Sequence, residues 1–154
     1  MDMNSFSLQG KIAWITGASY GIGFAIAEAY AAAGAQIVFN DINQELVNKG
    51  LKAYEELGIN AYGFVCDVTN ETQVNELIET VEKTVGPINI LVNNAGISYG
   101  GLGVMTSISM LREVFQINYF AQIQIMQMVL RVMMKQKKGY MNSAGIKKLL
   151  QYHD

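Results

Sequence analysis

Through about its first 95 residues this chain alternates short apolar runs with longer stretches of helical period, and that alternation restricts the fold more than any other feature. Ile12–Thr16, Gln36–Asn40, Ala61–Cys66 and Ile88–Val92 are near-continuous apolar runs bounded by glycine or polar residues. Runs of that length and texture predict strands covered on both faces. Between them, Asn43–Leu57 places Leu46, Val47, Gly50, Leu51, Tyr54 and Leu57 on one helical face, and the third helix does the same with Val74, Leu77, Ile78, Val81 and Val85. Gly21–Ala33 is helical in composition and apolar nearly all round, so it is expected to be covered on most sides. Gly34 and Gly58 stand in helix-stop positions. Asn70 with Gln73 three residues on predicts a capping box, and Gly86-Pro87 ends that helix. Strand, helix and strand in short succession form right-handed crossovers, so the chain is expected to be a doubly wound α/β domain. It would have a parallel sheet of four to five strands with helices on both faces. Residues 1–97 hold the regular part of this single domain (1–154). In residues 98–154 a loop with Gly100, Gly101 and Gly103 leads to a long helix, roughly Ile108–Gln136, ended by Gly139, with little room for a fifth strand.

Composition removes several functions. With 154 residues the chain fits one domain, and its net charge of −2 comes without a basic stripe, so nucleic acid and acidic membrane surfaces are not expected partners. One cysteine, Cys66, and one histidine, His153, leave no cysteine- or histidine-based metal site. The start, Met1–Gln9, lacks the pattern of a secretory signal. Ile108–Met134 carries Arg112, Glu113, Asn118 and Arg131, which predicts a buried helix rather than a membrane span. The expected compartment is the cytoplasm.

The turn from the first strand into the first helix reads Thr16-Gly17-Ala18-Ser19-Tyr20-Gly21-Ile22-Gly23. Small residues at such a junction let a phosphate reach backbone N–H groups at the positive end of the helix dipole. Gly23 would also let the helix pack close to the strand. The other reading is a plain tight turn. Asp41 ends the second strand, where a carboxylate accepts ribose hydroxyls and repels a 2′-phosphate; the alternative is a helix N-cap ahead of Asn43. Asp67, next to Val68, either caps the following helix or contacts an adenine.

With Asn93-Asn94-Ala95-Gly96 after the fourth strand, these residues resemble the short-chain dehydrogenase/reductase family. The glycine spacing of the turn is that family's form of the Rossmann fingerprint, and the likeness runs from about Phe6 to Asn142. Within the family, Phe6–Lys11 and Val38–Asn43 look most like bacterial gluconate 5-dehydrogenases, whereas the part from Ser98 onward looks like another branch. The resemblance implies NAD, with NADP as second choice, held by Gly17, Ser19, Tyr20, Gly21, Ile22, Gly23, Asp41, Asp67, Val68, Asn94, Ala95 and Gly96. It implies hydride transfer to or from a small alcohol or carbonyl, with gluconate and 5-ketogluconate as the nearest substrates. Of the family's asparagine–serine–tyrosine–lysine set, Asn118 falls where a helix-kinking asparagine is placed, and Ser143 matches the substrate-orienting serine or is a loop serine.

A tyrosine is a poor base near neutral pH, and a cation one helical turn away favours its phenolate. None of the eight tyrosines here has a lysine four residues later. The chain is therefore expected to be a truncated, catalytically incomplete form, with a tail from Lys147 to Asp154 that aligns with nothing in the family. Three readings stay open: the cofactor half of an oxidoreductase, a non-catalytic NAD-binding module or partner subunit, and a marginally stable product. In helix 108–136, Phe115, Phe120, Ile123, Ile125, Met126, Met128, Val129, Val132, Met133 and Met134 cannot all face one sheet. Either further segments cover this helix or it mediates homo-oligomers.

Overall fold

A computed structural model of the chain describes residues 7–101, 103–136 and 140–143. Five parallel strands form one sheet in the order β3-β2-β1-β4-β5. They are β1 (Ile12–Thr16), β2 (Gln36–Asp41), β3 (Ala61–Val65), β4 (Ile90–Asn93) and β5 (Tyr140–Ser143). The connecting helices are α1 (Gly21–Ala32), α2 (Gln44–Glu56), α3 (Glu71–Thr84), α4 (Ile108–Phe115) and α5 (Gln122–Gln136). The strand order reverses at β1, which pairs with β2 on one side and β4 on the other.

The sheet separates two cores. On one face α1 and α2 pack over Ala13, Ile15, Ile37, Phe39 and Val92, with Ala27, Val47 and Tyr54 filling the layer. On the other, Val74, Leu77, Ile78 and Val81 of α3 meet Ile125, Met126, Val129 and Met133 of α5 over Trp14, Val38 and Leu91. Two polar residues inside the sheet, Trp14 and Asn40, are paired across strands. Trp14 Nε1 donates to Asn40 Oδ1 at 2.9 Å, and Asn40 Nδ2 donates to the Cys66 carbonyl at 3.1 Å. This buried chain of bonds ties β1 and β2 to the segment leaving β3, and it explains an asparagine in a strand that packing alone would fill with an aliphatic.

Four expectations change. First, β5 forms within the expected four to five strands despite the little room foreseen for it: its four residues pair with β4 from Ile90↔Tyr140 to Asn93↔Ser143, because a short strand needs only the open edge of β4 as a template. Second, α1 is not covered on most sides. Only Gly23 and Ala27 are buried and Ile22 is 77% exposed, since small side chains on one flank are enough to seat a helix. Third, the long helix is not uniform. Gln116–Ala121 forms a π turn between α4 and α5. Fourth, the capping box is half formed. Asn70 accepts from the Gln73 N–H at 3.1 Å, but the Asn70 N–H is already bonded to the Asp67 carbonyl, so Gln73 Oε1 accepts from the Asp67 N–H instead. Gly34 and Gly58 take the positive φ expected at helix ends. Phe6, Gly139 and the tail Lys147–Asp154 lie outside the described residues.

Candidate functional site

A cleft of about 930 Å³ opens at the carboxyl end of the sheet, where loops leaving β1, β2, β3 and β4 converge. This is the topological switch point, the place where open α/β sheets bind ligands. A second depression, about 590 Å³, lies where α1 runs into β2 and α2 into β3, among Glu28, Gly34, Gln36, Gly58 and Asn60. It gathers no reactive set of side chains.

Two segments far apart in sequence interlock to form the cleft floor. Thr16 Oγ1, at the end of β1, accepts from the N–H groups of Asn94 and Ala95, both at 2.9 Å. Asn94 Nδ2 returns bonds to the carbonyls of Thr16 and Gly17, both at 3.0 Å. Gly17 has φ +63°, and a Cβ there would lie 3.0 Å from Ala95 Cα. At Gly23 a Cβ would collide with the Asn94 amide and lie 2.8 Å from the Gly17 carbonyl oxygen. Gly23 therefore brings α1 against the turn and the Asn94 side chain together.

Gly21 differs. Its φ is +65°, yet nothing lies within 4 Å of a Cβ built on it. It is the first residue of α1, facing open space in the cleft. The helix begins at Tyr20, whose side chain makes no capping bond, and its first turn holds no acidic residue. By contrast, Asn43 caps α2, Asn70 caps α3 and Ser107 caps α4. A helix start with neither a side-chain cap nor an acid leaves N–H groups free for an anion supplied from outside. Among the described residues the side chains do not supply that attraction: Asp41, Asp67 and Glu113 line the cleft against one cation, Arg112.

Ten of the twelve residues expected to hold a cofactor line this cleft: Gly17, Tyr20, Gly21, Ile22, Asp41, Asp67, Val68, Asn94, Ala95 and Gly96. Ser19 and Gly23 lie behind its wall, and Ser19 Oγ is buried without a partner among the described residues. Neither acid caps a helix. Asp41 Oδ1 accepts from the Ile42 N–H at 2.9 Å, while Asn43 holds the cap position. Asp67 Oδ1 accepts from the N–H and hydroxyl of Thr69, and the cap belongs to Asn70. Between the acids, burial and then the neighbouring Asp67 charge push the Cys66 thiol up to about 11.

The opposite wall comes from α4 and the π turn. Asn118 Oδ1 accepts from the Ile97 N–H and its Nδ2 donates to the Ile97 carbonyl, both at 2.8 Å. Its amide thus holds the segment after β4 through one donor and one acceptor, as a neighbouring strand would. Tyr99 donates to Glu113, and that bond, more than burial or charge, raises the phenol. Ser143 sits in β5 opposite Asn93, the residue that ends β4. Reading the sequence missed Arg112, Glu113, Gln116 and Ile117, which line this wall. Their spacing on one side of a helix is visible, but it looks the same as a solvated face.

The family model described as short chain dehydrogenase matches residues 11–141. A 2-dehydro-3-deoxy-D-gluconate 5-dehydrogenase of Formosa agariphila is 34% identical over 90% of this chain and 53% of its own length. A 2-keto-3-deoxy-D-gluconate dehydrogenase structure from Streptococcus agalactiae superposes with a TM-score of 0.82 at 47% identity, over 99% of this chain and 58% of that one. A gluconate 5-dehydrogenase from Burkholderia cenocepacia, solved with NADP and tartrate, gives a TM-score of 0.84 at 33% identity, over 93% of this chain and 56% of that one. The chain therefore spans somewhat more than half the length of these proteins.

Proposed function

The chain belongs to the short-chain dehydrogenase family, and from that premise we propose that its cleft holds a nicotinamide dinucleotide with the pyrophosphate over the start of α1. The observation that carries this reading is the uncapped helix start beside Gly21. The cradle also fits by size, since a cleft of about 930 Å³ accepts a ligand of that bulk. Gly17, Tyr20, Gly21 and Ile22 border the pyrophosphate, with Ser19 and Gly23 shaping the turn from behind. Asp41 accepts from the adenosine ribose, Asp67 and Val68 flank the adenine, and Asn94, Ala95 and Gly96 floor the path toward the nicotinamide. When bound, the nicotinamide supplies or accepts a hydride. The activity served is oxidation of an alcohol or reduction of a carbonyl, and the names of the relatives favour sugar acids such as gluconate and 5-ketogluconate. Asn118 is a positioning residue for the cleft wall, and Ser143 is a substrate contact in that activity.

NAD is the preferred form. Asp41 spends one carboxylate oxygen on Ile42, and its charge disfavours a 2′-phosphate. One observation favours NADP as a second reading: Lys49 places its ammonium 5.8 Å from the centre of the Tyr20 ring at the cleft mouth. A further alternative is a dinucleotide-binding module or partner subunit without turnover of its own. The exposed Phe115 (57%) and Phe120 (55%) support assembly through helix 108–136. No helix among the described residues is long and apolar enough to cross a membrane, and we place the protein in the cytoplasm.

Fluorescence titration of the purified chain with NADH and NADPH tests the reading. Saturable NADH binding is expected, and its absence defeats the proposal. Gly17→Val is expected to abolish binding, because the side chain would enter the Ala95 backbone. Asp41→Ala is expected to weaken NADH about tenfold through loss of charged hydrogen bonds, and NADPH less. Equal losses would remove Asp41 from the ribose. Turnover of gluconate or 5-ketogluconate by this chain alone would defeat the catalytically incomplete reading.

A further inference from the structure

We propose that Tyr54, a fully buried residue of α2 outside the cleft, is a positioning residue for the phosphate turn: its hydroxyl sets the Ala18–Ser19 peptide so that the Ser19 N–H faces an incoming pyrophosphate. The inference rests on the dinucleotide reading of the cleft.

The Tyr54 hydroxyl donates to the Ala18 carbonyl at 2.7 Å. Ala18 is fully buried, so no solvent replaces that bond. Phenylalanine would fill the same space and leave the carbonyl unpaired, which costs more than the bond itself is worth. The ring has little freedom. It stacks on Phe24 of α1 with centroids 4.4 Å apart, and meets Phe39 of β2 at 5.1 Å. One turn earlier in α2 stands Gly50, where a Cβ would lie 2.9 Å from Ser19 Cα and 2.9 Å from the Phe39 ring. Glycine at 50 lets α2 reach the turn, and tyrosine at 54 grips it. In a trans peptide the C=O and N–H point in opposite directions. A carbonyl held toward α2 therefore turns the Ser19 N–H away from α2, to the side where Gly17, Tyr20 and Gly21 line the cleft. Among the described residues that N–H has no acceptor.

The test uses the full chain, wild type and Tyr54→Phe, with ADP-ribose and adenosine as calorimetric ligands. Adenosine lacks the pyrophosphate and serves as the control for a general disturbance. Tyr54→Phe is expected to bind ADP-ribose about five- to tenfold more weakly, the cost of one misaligned hydrogen bond, while adenosine affinity changes by less than about twofold. Equal ADP-ribose affinity in the two proteins, or equal weakening of both ligands, overturns the inference. A wild type that binds no ADP-ribose overturns the dinucleotide reading instead. A second measurement covers a variant that fails to fold. Inorganic pyrophosphate added to ¹⁵N-labelled wild type should move the Ser19 amide proton downfield to a saturating shift, and an unmoved Ser19 resonance refutes the assignment.

Discussion

The two helical layers are built on opposite principles. The layer of α1 and α2 approaches the sheet through absences: Gly23 and Gly50 have no side chain, and Ala27 has almost none. The layer of α3 and α5 approaches through bulk, with Leu77, Ile78, Ile125, Met126 and Met133 standing between helix and strand. The difference follows from what each layer must hold. Close backbone approach on the first side shapes the turn whose peptide groups we propose as the binding surface. On the second side only apolar burial is required, and many combinations of large side chains provide it. Errors of added volume should therefore be severe in the first layer and mild in the second.

Gly50→Val tests the severe side. Its Cβ would meet the Ser19 backbone and the Phe39 ring, neither of which can step aside. We expect a loss of about 3 kcal/mol in urea unfolding, together with loss of NADH binding. A stable, binding-competent Gly50→Val protein would break the contrast. Alkaline pH tests both layers at once. Cys66 belongs to the second core and Tyr54 to the first, and burial raises both. Each is neutral when buried, so the unfolded chain ionises first. Stability is full below pH 9 and falls as pH rises toward the folded Cys66 value of about 11, with Tyr54 adding to the loss above pH 10. The Cys66 share is about 3 kcal/mol, and Cys66→Ala should remove it from a stability-versus-pH series. Val129→Ala, at a fully buried position in the second layer, is expected to cost about 2 kcal/mol and leave the dissociation constant for NADH unchanged. The smallest effect belongs to Met128→Leu, a volume-conserving change in the same layer, at less than about 1 kcal/mol in thermal unfolding.

The same contrast explains what could be read from the sequence. Strands, helices and helix stops of the regular part are local, and Ile12–Thr16 and Gly34 appear in the structure where periodicity and turn chemistry put them. The glycine turn was legible because its residue types are rare at a strand-to-helix junction. Its supports were less so. Gly50 and Tyr54 sit on the inner face of α2 like ordinary core positions, and only the fold reveals that this face touches the glycine turn at Ala18 and Ser19. Arg112 and Gln116 escaped for a related reason, since the path of the chain after Gly96 decides whether α4 borders the cleft or open water. β5 was only the upper end of an expected four to five strands, because four residues carry almost no periodic signal and the edge of β4 does the selecting.

The π turn at Gln116–Ala121 works as a phase adjuster between two helical segments. Such a turn carries one residue more than α geometry needs. Each residue rotates a helix by about 100°, so that surplus decides which side of α5 meets the sheet. Removing a single residue from the turn would let α4 run straight into α5, swinging Ile125, Val129 and Met133 away from Leu91. It would also unthread Asn118 from Ile97. One residue of excess length thus synchronises the cleft wall with the hydrophobic seam beneath it, and an indel there is far more consequential than one among the glycines of the neighbouring loop.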